Sequence, residues 1–279
     1  MSKEKVILFD TTLRDGQQTQ GVDFSVQDKV NIAKALDNIG IDYIEGGWPG
    51  ANPTDTKFFE QNIKFSNAKF TAFGMTKRAG RSADNDPQLR SLIDTNSDSI
   101  CLVAKTWDFH VDLALGISLE ENIEAIKDSV LSVKANDKEP LIDCEHFFDG
   151  FKSNPEFSYK CIEAALENGA EWVVLCDTNG GTLPNEIFQI VGEITKKFSG
   201  DKIGIHCHND TENAVANSLA AIDAGARHLQ GTINGLGERC GNANLISIIP
   251  TFLLKKEYSE KYDISIDVDK LSELKNLSR

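Results

Sequence analysis

One pattern repeats along the chain: a short apolar or β-branched run, a polar loop, and then a stretch whose apolar residues recur with helical spacing. The runs are four to six residues long, which is typical of parallel strands covered on both faces. The pattern therefore predicts eight buried strands. These span residues 6–10, 43–46, 69–73, 99–104, 141–144, 172–176, 203–207 and 228–233.

Helix signals follow these strands. Ser25 offers an N-cap hydroxyl for the first helix, and Gly40 suits its left-handed end. Asn52 and Asn154 each precede a proline that fits the first helical position. Further helices are predicted to begin after Ser118 and near residues 184, 211 and 244.

Eight repeats within about 250 residues predict an α/β fold, a closed (β/α)8 TIM barrel with its helices outside. An open doubly wound sheet is the alternative, but no G-x-G-x-x-G sequence follows the first strand. We expect the barrel to span residues 1–256.

Composition narrows the class of protein. Apolar content of 40% and charged content of 26% are typical of a soluble globular chain, so a cytoplasmic protein is predicted. No apolar run approaches the roughly 20 residues of a membrane span, and no membrane partner is expected. The net charge of −14 argues against nucleic-acid binding. Six cysteines without a C-x-x-C pair predict reduced, mostly buried thiols.

Candidate chemistry follows from the fold, because active sites of such barrels form at the C-terminal ends of the strands. His206 and His208 end the seventh strand and lie on one face of it, since strand side chains alternate. Asp15, after the first strand, is the candidate carboxylate partner. This donor set suits Mg²⁺, Mn²⁺, Co²⁺ or Zn²⁺. Asp210 is an alternative ligand, although its position favours capping the next helix.

Other polar strand ends supply candidate catalytic groups. Arg14 beside a dication requires an anion between them, which favours a keto-acid or thioester substrate. Glu145 is the candidate general base or proton relay, or else a partner of Arg14 or a histidine. Glu45 and Asp177 are predicted to orient these groups through hydrogen bonds without contacting the metal or the substrate themselves. Three further histidines are expected to be structural: His110, His146 and His228.

A glycine-rich segment, residues 235–244, lies between the eighth strand and its helix. Three glycines within seven residues indicate a sharp bend or a close approach. The pattern fits a phosphate-binding turn, a lid hinge or a simple tight turn equally well.

Three motifs together resemble the α-keto-acid-condensing acyltransferases, the family of 2-isopropylmalate, homocitrate and citramalate synthases. They are F-D-T-T-L-R-D-G at residues 9–16, H-x-H-N-D at 206–210 and G-E-R-C-G-N at 237–242. Residues 43–53, 145–150 and 175–184 look most like the citramalate synthase branch. The resemblance implies a TIM-barrel enzyme that condenses acetyl-CoA with pyruvate, a step of isoleucine biosynthesis.

The resemblance also implies residue roles. Asp15, His206 and His208 match metal ligands, and Asn242 matches a further residue at the metal. It implies that Arg14 steadies the keto oxygen and that Glu145 is the catalytic carboxylate. Thr178 is implied to bind the substrate carboxylate.

The resemblance implies that a helical subdomain and a regulatory domain follow the barrel, so residues 257–279 are expected to be the beginning of a truncated C-terminal helical subdomain. Exposed barrel helices favour a homodimer. Several alternatives stay open. A larger keto acid would make the chain a 2-isopropylmalate or homocitrate synthase. Cys240 suits a 3-hydroxy-3-methylglutaryl-CoA lyase-like retro-aldol enzyme. Amidohydrolases carry H-x-H at the first strand instead, and a non-catalytic barrel that binds a metal and a keto acid is a different class.

Overall fold

Eight parallel strands close into a barrel in a computed structural model that describes residues 3–278. Each strand pairs with its neighbour in sequence, and the first pairs with the last. The predicted (β/α)8 barrel is thus confirmed. The strands are β1 (Ile7–Asp10), β2 (Tyr43–Gly47), β3 (Lys69–Met75), β4 (Ser99–Lys105), β5 (Glu139–Glu145), β6 (Trp172–Asp177), β7 (Ile203–Cys207) and β8 (His228–Gly231).

One principal helix follows each strand and covers the outside of the barrel. Ser25 and Asp28 form a capping box at the start of the first helix, and Gly40 ends it with a φ of 97°. The helices are α1 (Val26–Ile39), α2 (Pro53–Phe59), α3 (Pro87–Ile93), α4 (Leu119–Ala135), α5 (Pro155–Glu167), α6 (Pro184–Lys197), α7 (Ala214–Asp223) and α8 (Leu245–Leu254).

Apolar side chains form two separate clusters. Phe9, Tyr43, Leu141 and Trp172 belong to the cluster inside the barrel, and the larger cluster lies between the strands and the helices. This arrangement follows from the alternation of side chains along each strand.

Several predicted boundaries were wrong by one to three residues. β3, β4 and β5 extend beyond their apolar runs, because Met75 still pairs with Val103 and Lys105 still pairs with Glu145. β8 ends at Gly231, and α7 begins at Ala214 instead of residue 211. A short helix, Phe147–Ser153, follows β5 directly and was not predicted.

Residues after α8 pack against the barrel. The two-residue strand Tyr262–Asp263 pairs with Glu4–Lys5, and Ile266 and Leu274 are buried. A final helix, Leu271–Leu277, packs beside α1 and α8. The division after residue 256 stays a prediction.

Two class predictions can be compared with the structure. Five of the six cysteines are buried, all six are free, and Cys240 is the exposed one. Among the described residues, no helix combines the length and the apolar character needed to cross a bilayer.

Candidate metal centre and substrate cavity

The paired histidines lie at the end of β7, as the alternation of its side chains predicted. Their ring centroids are 5.1 Å apart, and both rings are buried. His208 donates its backbone N–H to the carbonyl of Asp177 at 3.2 Å and forms a β-bridge with Asn242. The end of β6 and the glycine-rich segment therefore fix the position of the second histidine.

Asp15 completes a cluster with these histidines. Its Oδ2 lies 3.4 Å from Nε2 of His206 and 3.6 Å from Nε2 of His208. The three potential ligand atoms lie within 4.8 Å of one another. Asp15 Oδ1 is buried without a hydrogen-bond partner, which is costly unless another group binds it. The cluster therefore fits a divalent cation held by one carboxylate and two imidazoles.

Asn242 supplies a second unpartnered oxygen beside His208. Its Oδ1 is buried and lacks a hydrogen-bond partner, while its Nδ2 donates to the carbonyl of Leu236 at 3.0 Å. A Cβ at Gly237 would lie 2.1 Å from that nitrogen, so only glycine fits there. Close approach is the structural reason for this glycine.

The electrostatics of the cluster favour deprotonated Asp15 and His208. Burial alone would lower the pKa of His206, but the neighbouring Asp15 carboxylate raises it. Burial alone would raise the pKa of the Asp15 carboxyl, but Arg14 and His206 lower it well below its usual range. Burial and the neighbouring His206 lower the pKa of His208 to about 3. A cation requires carboxylate and neutral imidazole ligands, so the shifts of Asp15 and His208 suit cation binding.

Arg239 contacts the Nδ1 side of the His208 ring. Its Nη2 lies 3.2 Å from Nδ1 of His208, and it forms two hydrogen bonds with Asp210 at 2.7 and 2.8 Å. The prediction that Asp210 caps the next helix was wrong, because Asn209 accepts the hydrogen bond from Ala214 instead. Since arginine only donates, cation binding through Nε2 of His208 requires Arg239 to turn away.

Arg14 and Glu45 form a buried pair next to the cluster. Arg14 Nε donates to Glu45 Oε2 at 2.7 Å, and its Nη1 lies 3.4 Å from Asp15 Oδ2. Thr11 also donates to Glu45, at 2.5 Å. The Glu45 carboxylate thus orients the guanidinium on the side away from Asp15 Oδ2, and its supporting role stays a prediction. Asp177 does not contact a candidate ligand through its carboxylate, which accepts two hydrogen bonds from Thr182 instead.

Glu145 lies across the cavity and is paired with Lys105. Thr106 donates to the backbone carbonyl of Glu145 at 2.9 Å, and Asn122 donates to that of Lys105 at 2.9 Å. The first bond joins the ends of β4 and β5, and the second joins β4 to α4. The Glu145 carboxylate is therefore paired with a lysine and not with Arg14, and two histidines lie beside it.

His146 has a left-handed backbone, with φ 54° and ψ 35°. This conformation directs its N–H to Oγ1 of Thr178 at 2.8 Å. The Thr178 hydroxyl accepts that bond and so keeps its own hydrogen free for a substrate oxygen. His110 and His146, expected to be structural, lie beside Glu145 with ring centroids 4.3 Å apart.

Gln230 and Asp143 also belong to the site, although neither was predicted from the sequence. Gln230 Oε1 lies 2.8 Å from Nδ1 of His206, and its Nε2 donates to Asp143 Oδ1 at 3.0 Å. Both residues are buried inside the barrel. The one sequence feature that could have indicated them is a polar residue within an apolar strand.

A cavity of about 440 Å³ joins these groups. Phe73, Met75 and Val103 form its apolar wall, and the Arg14 guanidinium lies 4.0 Å from the Phe73 ring centre. The polar residues that line it include Arg14, Asp15, Lys105, Glu145, Thr178, His206 and His208.

Comparison with known sequences identifies related proteins. The model of the family described as HMGL-like matches residues 5–277. The (R)-citramalate synthase of Aquifex aeolicus is 55% identical over 90% of this chain and 48% of its own length. That of Geobacter sulfurreducens is 52% identical over 98% and 51%. The 2-isopropylmalate synthase of Sulfurisphaera tokodaii is 32% identical over 99% and 68%.

Comparison with solved structures supports the same fold. The HMG-CoA lyase from Bacillus subtilis matches with a TM-score of 0.81 at 19% identity, covering 99% of this chain and 92% of the other. The chain spans about half the length of the citramalate synthases it matches.

Proposed function

Because the chain belongs to the HMGL-like family, we propose that its barrel condenses acetyl-CoA with pyruvate to give (R)-citramalate. The observation that carries this proposal is the Asp15, His206 and His208 cluster with Arg14 beside it at the barrel mouth. The higher identity to citramalate synthases, 55% against 32% for a 2-isopropylmalate synthase, favours pyruvate.

The charges around the cluster support an anionic keto acid as substrate. A cation at the cluster and the Arg14 guanidinium would repel each other unless an anion lay between them. A keto-acid carboxylate supplies that anion, and the Thr178 hydroxyl is free to donate to it. When bound, Mg²⁺, Mn²⁺, Co²⁺ or Zn²⁺ would supply Lewis-acid polarisation of the keto carbonyl.

The cavity wall supports a small substrate. Phe73, Met75 and Val103 suit the methyl group of pyruvate. The second carboxylate of 2-oxoglutarate would meet this apolar wall, where the lining cations Arg14 and Lys105 already pair with Glu45 and Glu145, and its burial there is costly. A branched keto acid would need more of the same apolar space.

Glu145 is the group we assign to proton transfer. Its carboxylate removes a proton from the acetyl methyl group, and the resulting carbanion forms the new bond to the keto carbon of pyruvate while the carbon–oxygen π bond opens. The keto oxygen becomes an alkoxide and takes up the proton that Glu145 removed, which returns Glu145 to its carboxylate form. Water then cleaves the thioester to release coenzyme A and citramalate. Lys105 holds Glu145 towards the cavity during this sequence. Arg14 steadies the oxygen that gains negative charge.

Calorimetry tests the site directly. Pyruvate, 2-oxoisovalerate and 2-oxoglutarate are titrated into the chain with Mn²⁺ present and again after chelation. We expect binding of pyruvate alone, only with Mn²⁺, and its loss in His206→Ala but not in the matched control His110→Ala. A thiol-release assay with acetyl-CoA then measures turnover. Absence of Mn²⁺-dependent binding of every keto acid would refute the proposal.

A further inference from the structure

A second group of possible metal ligands lies beside the cavity. One ligand atom from each of His110, Glu145 and His146 lies within 4.8 Å of the other two. Two ligand atoms of one zinc ion lie at most about 4.2 Å apart, because each bond to the ion is about 2.1 Å long. Movements of less than about 1 Å therefore bring all three side chains onto a single ion.

Trp107 packs against both imidazole rings of this group. Its ring centroid lies 4.6 Å from that of His110 and 5.8 Å from that of His146, and the two histidine rings meet edge to face. Among residues 3–278, neither histidine ring forms a hydrogen bond, and Nδ1 of His146 is buried. A buried nitrogen without a partner is costly, so this ring favours binding a further group.

Glu145 supplies the negative charge of the group. Lys105 donates to its Oε2, while no group in the described part of the chain donates to its Oε1. A cation can therefore bind Oε1 while Lys105 keeps Oε2. Asp149 Oδ2 lies 3.6 Å from Nδ1 of His146 and adds a second negative charge. This charge offsets the repulsion between a bound cation and the Lys105 ammonium.

The donor set selects the metal. Imidazole suits Zn²⁺, and the usual affinity order places Co²⁺ above Mn²⁺, whereas Mg²⁺ prefers oxygen ligands. We propose that His110, Glu145 and His146 form a second cation site, which binds Zn²⁺ or Co²⁺. It shares no residue with the Asp15, His206 and His208 cluster.

Occupation of this second site has a consequence for the cavity. Glu145 lines the cavity, whereas neither His110 nor His146 does. A Glu145 carboxylate bound to a cation cannot accept a proton from the acetyl methyl group. Excess Zn²⁺ is therefore expected to inhibit the barrel through this site. The inhibition rests on the proposed function, but the binding of the cation does not.

Calorimetric titration of Co²⁺ into the metal-free chain counts the sites without requiring turnover. We expect two sites in wild type, one in His110→Ala, one in His206→Ala and none in the double variant. The control Phe109→Ala, at the exposed neighbour on the same short helix, should keep two. Two sites in His110→Ala, or a single wild-type site that disappears in His206→Ala, overturns the proposal. A single wild-type site that disappears only in His110→Ala refutes the proposed function instead.

Thiol release tests the inhibition. Zn²⁺ is added to reactions that contain Mn²⁺, and each protein is compared with its own rate before the addition. Displacement of Mn²⁺ from the Asp15 cluster affects wild type and His110→Ala equally. We expect half-inhibition of His110→Ala to require at least about tenfold more Zn²⁺, since even partners behind a metal ligand contribute that much affinity. Equal sensitivity of the two proteins to Zn²⁺ overturns the inhibitory role.

Discussion

Gln230 fixes the orientation of the His206 ring, because its Oε1 lies 2.8 Å from Nδ1. Exchanging the oxygen and nitrogen positions of the Gln230 amide would break a hydrogen bond, since its Nε2 donates to Asp143 Oδ1 at 3.0 Å. A carboxamide oxygen only accepts, so Nδ1 of His206 must carry a hydrogen. In the neutral ring this leaves Nε2, which points at Asp15, with the lone pair that a cation requires.

We therefore predict that Gln230→Leu lowers Mn²⁺ affinity by about 10- to 100-fold, the usual effect of removing a partner behind a metal ligand. The exposed Gln189→Leu on α6 is the control. Mn²⁺ titration followed by electron paramagnetic resonance measures the change. Equal affinities in the two variants would mean that Gln230 only fills space.

The backbone of His146 gives a second prediction. A left-handed conformation at a non-glycine residue costs about 1–3 kcal/mol. His146→Gly should relieve this strain and keep the N–H bond to Thr178, whereas His146→Ala retains the strain. We expect the glycine variant to match or exceed the alanine variant in free energy of unfolding and in pyruvate affinity. Urea unfolding and calorimetry check both, and a weaker glycine variant would contradict the backbone role.

The sequence predicted the barrel because short apolar runs and helix caps are local signals. Gln230 was missed because its partner is set by the pairing of β7 with β8, which places it opposite His206. Lys29 shows the same limit. Helical periodicity treats it as a surface residue, but its ammonium is buried against Asp55 and the carbonyls of Leu13 and Gly46. Distant segments supply those acceptors, so no local pattern reveals them.

Cys240 separates the condensing and lyase alternatives. It is exposed in the glycine-rich segment, where a cysteine could serve a retro-aldol lyase. For a condensing enzyme, Cys240→Ser should leave Mn²⁺-dependent pyruvate binding and thiol release within about twofold, as expected of a surface substitution. With 3-hydroxy-3-methylglutaryl-CoA the products are separated by chromatography, because retro-aldol cleavage breaks a carbon–carbon bond and leaves the thioester of acetyl-CoA intact. Formation of acetyl-CoA and acetoacetate by wild type, and its loss in the variant, would favour the lyase.

His228 makes the fold sensitive to acid. Both ring nitrogens are buried without hydrogen-bond partners, among the rings of Phe9, Tyr43 and Trp172. Burial lowers the pKa of His228 from 6.5 to about 3. Between these values the unfolded chain binds a proton that the native state does not, so stability falls as the pH falls from 6.5 towards 3.

His228→Phe should remove this pH-dependent loss of stability while keeping an aromatic ring in the cluster. Moving from pH 7.5 to pH 4.5 should therefore cost wild type about 2–3 kcal/mol more free energy of unfolding than it costs the variant. Urea unfolding at the two pH values measures the difference. Other groups, such as His208, titrate in both proteins, so their contribution to the pH dependence cancels in the comparison. His110→Phe, at a partly exposed histidine, is the control. An identical loss in wild type and His228→Phe would show that His228 is protonated in the native barrel.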